Sequence, residues 1–145
     1  MKVMAFVKAT AETEAGLPPV EEFSTMMEEM GKFNAEMIQA GILLDADGLK
    51  PSSAGARVIF SGDKRSVVDG PFAETKELVA GYWILQVRSL EEAVEWMKRC
   101  PNPTGADSVI ELRPHYEAED FGELAPAVQK QEAELNALAE KNKQQ

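Results

Sequence analysis

An α+β fold is what this chain predicts: a ferredoxin-like sandwich in which an antiparallel sheet carries two helices on one face, with an extra hairpin and a helical arm at the carboxyl end. Three observations point to it. The hydrophobic spacing alternates between the period of two that strands need and the three-and-four spacing of helices, in the order strand, helix, hairpin, strand, helix, strand. Two of the expected strands are apolar on both sides, so one sheet face needs a cover the helices do not supply. Beyond residue 116 the apolar pattern thins to a narrow seam.

The first strand is "KVMAFVK", Lys2 to Lys8, with Val3, Ala5 and Val7 on one side and Met4 and Phe6 on the other. A small, polar connector follows and ends in Pro18-Pro19, a stop and a helix start. From Val20 to Ala40, Phe23, Met26, Met27, Met30, Phe33, Met37 and Ile38 recur at helical spacing, and Gly41 is placed to terminate the helix in a left-handed turn. The methionine stripe fits a helix laid on a sheet, and methionine also suits an adaptable binding surface. "ILLDADGLKPSSAG" then reads as a short apolar stretch and a loop. "ARVIF" and "RSVVD" are β-rich arms around the turn Ser61-Gly62-Asp63-Lys64.

Val79 to Val87 is the second doubly apolar strand, on which Tyr82 and Trp83 point to opposite faces. Ser89, with Glu92 three residues on, caps a second helix whose buried stripe is Leu90, Ala93, Val94 and Met97, and Pro101 lies beyond its end. Ser108 to Arg113 is the last strand. Pro126 begins a tail helix running to about Lys141, with Leu124, Val128, Leu135 and Leu138 as its seam. The organisation expected is a body over residues 1–116 and an acidic helical arm over 117–145.

Two helices cover one sheet face only. If a lid over the other face buried even ~600 Å² of apolar surface, about 25 cal/mol per Å² would give ~15 kcal/mol before association costs. The arm is too narrow for that, so a second copy of the chain is the expected cover: a homodimer packed sheet face to sheet face.

Composition narrows the function. The chain has 145 residues and a formal charge of −10, an acidic surface that repels phosphate backbones and disfavours nucleic acid as a partner. No apolar run approaches the ~20 residues of a membrane span, and the amino terminus lacks a secretory h-region, so a cytoplasmic setting is expected. The single cysteine, Cys100, excludes an internal disulfide and suits a reducing compartment. One histidine and one cysteine make no zinc cluster, "DADG" at Asp45 to Gly48 is only the beginning of a calcium loop, and no glycine-rich phosphate loop opens a helix. Neither a metal nor another cofactor is expected. A lone His115 is thin support for haem.

The sharpest motif is "DGPFAETKE", Asp69 to Glu77, followed by Gly81-Tyr82 and by Arg113-Pro114 at the end of the last strand. On these residues the chain resembles the YCII-related proteins, in the branch marked by Asp-Gly-Pro-Phe, over roughly residues 1 to 116. The resemblance implies a dimeric α/β barrel, in agreement with the lid argument. Some YCII-type proteins are proposed to use a histidine on the first helix and an aspartate after the second as an acid–base pair. This chain has no histidine in the first helix and no acid in "RCPNPTG" after the second, so that pair is not carried over.

Most of the remaining candidates have two readings. Asp69 is a general base if apolar neighbours raise its pKa, or the acceptor of an Asx-type turn. Glu74, Thr75, Lys76 and Glu77 either hold an anionic or hydroxylated ligand, with Lys76 as the charge, or form one solvated helical turn. His115 is a proton shuttle near neutral pH or a surface histidine. Tyr82 offers a ring on which a ligand could stack. Phe72 reads as an apolar anchor for the loop. Together these candidates point to a metal-free small-molecule enzyme, performing proton transfer or isomerisation in a cavity between sheet and helices beside the Asp69–Glu77 loop. The other reading is a non-catalytic metabolite-binding or regulatory dimer.

Overall fold

The computed structural model describes residues 1–143. It divides into two compact units, Met1–Pro114 and the chain from His115 onward. The first unit is built on a four-stranded antiparallel sheet of β1 (Lys2–Lys8), β2 (Leu43–Gly48), β5 (Val79–Gln86) and β6 (Ile110–Pro114), in the spatial order β2-β5-β1-β6. A separate two-stranded sheet is the hairpin β3 (Ala56–Ser61) and β4 (Lys64–Asp69). The helices of this unit are α1 (Ala11–Glu14), α2 (Val20–Gln39) and α3 (Leu90–Lys98).

The alternation of each strand sets the layers. Val3, Ala5 and Val7 of β1 and Trp83 and Leu85 of β5 are buried with Phe33 and Met37 of α2 and Ala93 and Met97 of α3, so both long helices lie on one face. Fully burying a side chain such as Leu85 or Met37 contributes roughly 1.5–3 kcal/mol. The indole of Trp83 donates to Asn34 Oδ1 at 3.0 Å, which ties the sheet to α2 with its one polar group satisfied. Met4, Phe6, Tyr82 and Ile84 alternate onto the opposite face and are half-buried.

The helix ends follow the sequence signals. Gly41 takes φ 75° after α2, and the Ser89 hydroxyl accepts from the Glu92 amide at 3.1 Å to open α3. The methionine stripe of α2 divides in two. Phe33 and Met37 are buried and Met30 packs against the core, whereas Met27 is 57% and Ile38 61% exposed.

Four expectations need correction. Leu43 to Gly48, expected as an apolar stretch and a loop, is the edge strand β2, with Leu43 and Ala46 against the core and Asp45 and Asp47 exposed. β2, not the hairpin, therefore supplies the second sheet strand of the ferredoxin-like order, and β3–β4 is an insertion after it. The polar connector contains α1, one turn closed by reciprocal bonds between Thr10 and Thr13. The last strand starts at Ile110 instead of Ser108, because the segment from Asn102 is held by local side-chain bonds, including Ser108 Oγ to Asn102 Oδ1 at 3.2 Å.

The second unit holds a 3-10 segment, Ala118–Leu124, and the helix α4 (Ala125–Lys143). Tyr116 and Phe121 pack their rings 5.5 Å apart. No described residue of α4 is buried, as its narrow seam requires. Among the described residues, no helix is long and apolar enough to cross a membrane.

Candidate functional site

The Asp-Gly-Pro-Phe turn leaves β4 and crosses directly over the Ser52 segment. A Cβ placed on Gly70 would lie 1.7 Å from the Ser52 carbonyl oxygen, so only glycine fits here without the backbone moving. The Gly70 amide bonds the Gly55 carbonyl at 3.0 Å, and the Gly70-Pro71 peptide is cis. Beyond it, the Phe72 amide donates to Ser52 Oγ at 3.0 Å.

Ser52 is the centre of a polar chain. Its amide donates to Glu14 Oε1 at 3.0 Å, and its hydroxyl donates to Glu14 Oε2 while accepting from Phe72. Glu14 ends α1, Ser52 opens a 3-10 turn, and Phe72 follows the hairpin, so this chain of bonds clasps three segments far apart in sequence. All three residues are half-buried. The guanidinium of Arg57, on β3, lies over the Phe72 ring with 3.8 Å to its centroid.

These groups border a shallow groove of about 310 Å³ at the root of the hairpin. Its walls combine Glu14, Ser52, Lys50, Arg57 and Glu77 with the apolar side chains of Leu49, Phe72, Leu78 and Val79. Another depression, of about 250 Å³ on α3, is lined by Lys98 and Arg99, but both are already paired, with Glu95 and Glu36 respectively. The hairpin-root groove keeps its cations free: among the described residues, neither Lys50 nor Arg57 has an ion-pair partner.

The candidates from the sequence scatter over the molecule. Glu77 lines the groove. Thr75 to Glu77 form one 3-10 turn, with Glu74, Lys76 and Glu77 exposed and Thr75 half-buried. Asp69 pairs with Ala56 at the hairpin end, with an exposed side chain that neither lines the groove nor accepts an Asx-type bond among the described residues. His115 opens the second unit, is half-buried, and is not among the groove residues.

Tyr82 stands on the sheet face turned away from the helices, so it cannot line a cavity between sheet and helices; there Trp83 and Leu85 fill the layer as packed core. The Tyr82 hydroxyl reaches Asp45 Oδ2 at 3.4 Å. The Asp45 carboxylate, then burial, then the Asp47 carboxylate and the bond to Asp45 raise its pKa above the ordinary value. Among the described residues, no three His, Cys, Asp or Glu side chains gather as a metal cage.

Glu14, Ser52 and Arg57 are site residues that the sequence does not announce. Ser52 is 38 residues from Glu14 and 20 from Phe72. Nothing in the local pattern of "KPSSAG" points to them.

A four-stranded antiparallel sheet in this order, with two helices on one face, defines a ferredoxin-like α+β protein. Residues 1–119 match the YCII-related domain, and the chain belongs to that family. An uncharacterised protein of Rhizobium meliloti (strain 1021) is 32% identical over 94 residues, spanning 65% of this chain and 76% of the relative. A solved 5-chloro-2-hydroxyhydroquinone dehydrochlorinase of Burkholderia phenoliruptrix, in complex with 2,5-dihydroxybenzoquinone, aligns over 81% of this chain and 95% of its own, at 10% identity and a TM-score of 0.42.

Proposed function

We propose that the chain is a small-molecule protein of the Asp-Gly-Pro-Phe branch of its family, with its site in the groove at the hairpin root and proton transfer at an activated carbon as its reaction. The observation that carries this reading is the bond chain Glu14–Ser52–Phe72 on the groove wall. A carboxylate joined to a hydroxyl is a proton acceptor with a relay: a C–H acid seated in the groove gives its proton to Ser52 Oγ as Ser52 gives its own to Glu14, and the reverse path returns a proton to another carbon. No redox partner or metal enters that balance.

The working unit in this reading is a homodimer closed over the outer sheet face, in a cytoplasmic setting. Met4, Phe6 and Ile84 on that face support it. So does the hairpin, where Phe60 and Val67 are 69% and 67% exposed in the single chain.

Deuterium uptake tests the chemistry. The protein is incubated in heavy water with a panel of small ketones and 2-oxo acids, and exchange at the carbon next to the carbonyl is followed by proton NMR. The expected result is exchange above background that is lost in Glu14→Gln. Ligand binding without exchange by the native protein would overturn the catalytic reading and leave the alternative, a metabolite-binding or regulatory dimer. That alternative has its own support, since the Ser52 hydroxyl is bonded on both sides as a structural clasp would be.

A further inference from the structure

The hairpin-root groove also carries information about what it holds, and this step rests on the groove being the ligand site. We infer that the groove selects small monoanionic organic acids, with the Arg57 guanidinium as the carboxylate anchor and the apolar wall holding the body of the molecule.

Arg57 is unusual for an arginine on a protein of net charge −10. Carboxylates are abundant, yet among the described residues the Arg57 guanidinium makes neither an ion pair nor a hydrogen bond. What it does make is a stacking contact, 3.8 Å from the Phe72 ring centroid. Stacking occupies the face of the guanidinium and leaves its edge, where the N–H donors lie, turned to other partners. A planar fork fixed in this way matches a carboxylate, which accepts two parallel bonds. The Phe72 backbone is held by the hydrogen bond from its amide to Ser52 Oγ, and the residue is half-buried. Although Arg57 is exposed, the stacking contact on a residue of the clasp restricts its guanidinium, and less ordering is needed when a ligand arrives.

The other walls restrict the anion. Lys50 adds a second cation, while Leu49, Phe72, Leu78 and Val79 offer apolar contact. Glu77 and Glu14 also line the groove, Glu14 with its carboxylate bonded to Ser52, so two negative charges border the ligand's space. They discriminate against phosphates and other multiply charged anions and leave a single carboxylate as the best match. A volume of about 310 Å³ lies at the low end of the ~300–1,000 Å³ range of ligand pockets, enough for a metabolite-sized acid.

The test uses two probes of the same shape, cyclohexanecarboxylate and cyclohexanecarboxamide, titrated into the full chain while backbone amide NMR shifts are recorded. The expected result is that the carboxylate, at millimolar concentration, shifts the amides of Gly55, Arg57, Leu78 and Val79. The amide analogue should bind weakly, and inorganic phosphate should not displace the acid. Arg57→Met keeps the aliphatic contact with the ring and removes the fork; it should weaken the acid roughly tenfold or more. An unchanged denaturation midpoint in that variant confirms that the clasp survives. Equal binding of the two probes, or an Arg57→Met protein that binds the acid as well as the native one, overturns the inference and leaves the groove as a site selected by shape. Shifts confined to another surface, or none with either probe, overturn both the inference and the site.

Discussion

At the scale of single residues, the informative positions are those whose neighbours are distant in sequence. Gly70 is glycine because the Ser52 carbonyl occupies the place of its side chain. Gly70→Ala should therefore destabilise the protein by about 1–3 kcal/mol, as overpacked substitutions do, and Ser52→Ala should cost a similar ~1–3 kcal/mol by leaving the Phe72 amide without its acceptor. Both changes open the same clasp. Urea denaturation should show the double variant losing less than the sum of the two, and simple additivity would mean that the two residues act independently.

Tyr82 gives a prediction of another kind. Asp45 and Asp47 oppose its ionisation, so its folded pKa stands above the ordinary value. The protonated phenol is the form the fold favours. Its contribution is complete below the unfolded pKa, about 10, and is lost as pH rises through the higher folded value. In a Tyr116→Phe background the phenolate absorbance reports Tyr82 alone. Its midpoint should lie above that of a free tyrosine and fall toward it in Asp45→Asn. Cys100 is raised by a different cause: burial alone pushes its thiol up to about 12, which keeps it protonated at neutral pH.

Elements were legible in the sequence wherever their own periodicity or caps define them. The doubly apolar β1 and β5, the stops at Gly41 and Pro101 and the Ser89 cap all lie where their local patterns place them. Removing that cap in Ser89→Ala should lower stability by about 1 kcal/mol in thermal or urea denaturation, and no change would mean that α3 is held by packing alone. β2 was not legible, because "LLDADG" buries one side weakly at a sheet edge and its acidic pair reads as a turn. The site was less legible than the fold for a related reason. Asp69, Lys76 and His115 attract attention by residue type, yet the groove is lined by Glu14, Ser52 and Arg57, whose roles arise only when the hairpin folds back over the 3-10 turn at Ser52. Local pattern carries no trace of a contact between segments tens of residues apart.

For the molecule as a whole, the outer sheet face and the hairpin set the remaining question. An isolated two-stranded hairpin is marginal in water, and every residue of β3 and β4 is exposed in the single chain, so only the clasp at its root and whatever covers its apolar side chains hold it in place. A second copy is the cover proposed here. Native mass spectrometry of the full chain, mixed with a pool of small organic acids, reads assembly and ligand together. The expected spectrum is a dimer of two 15.9 kDa chains carrying bound acid, with the acid lost in Arg57→Met. A lone, ligand-free chain at micromolar concentration would contradict it.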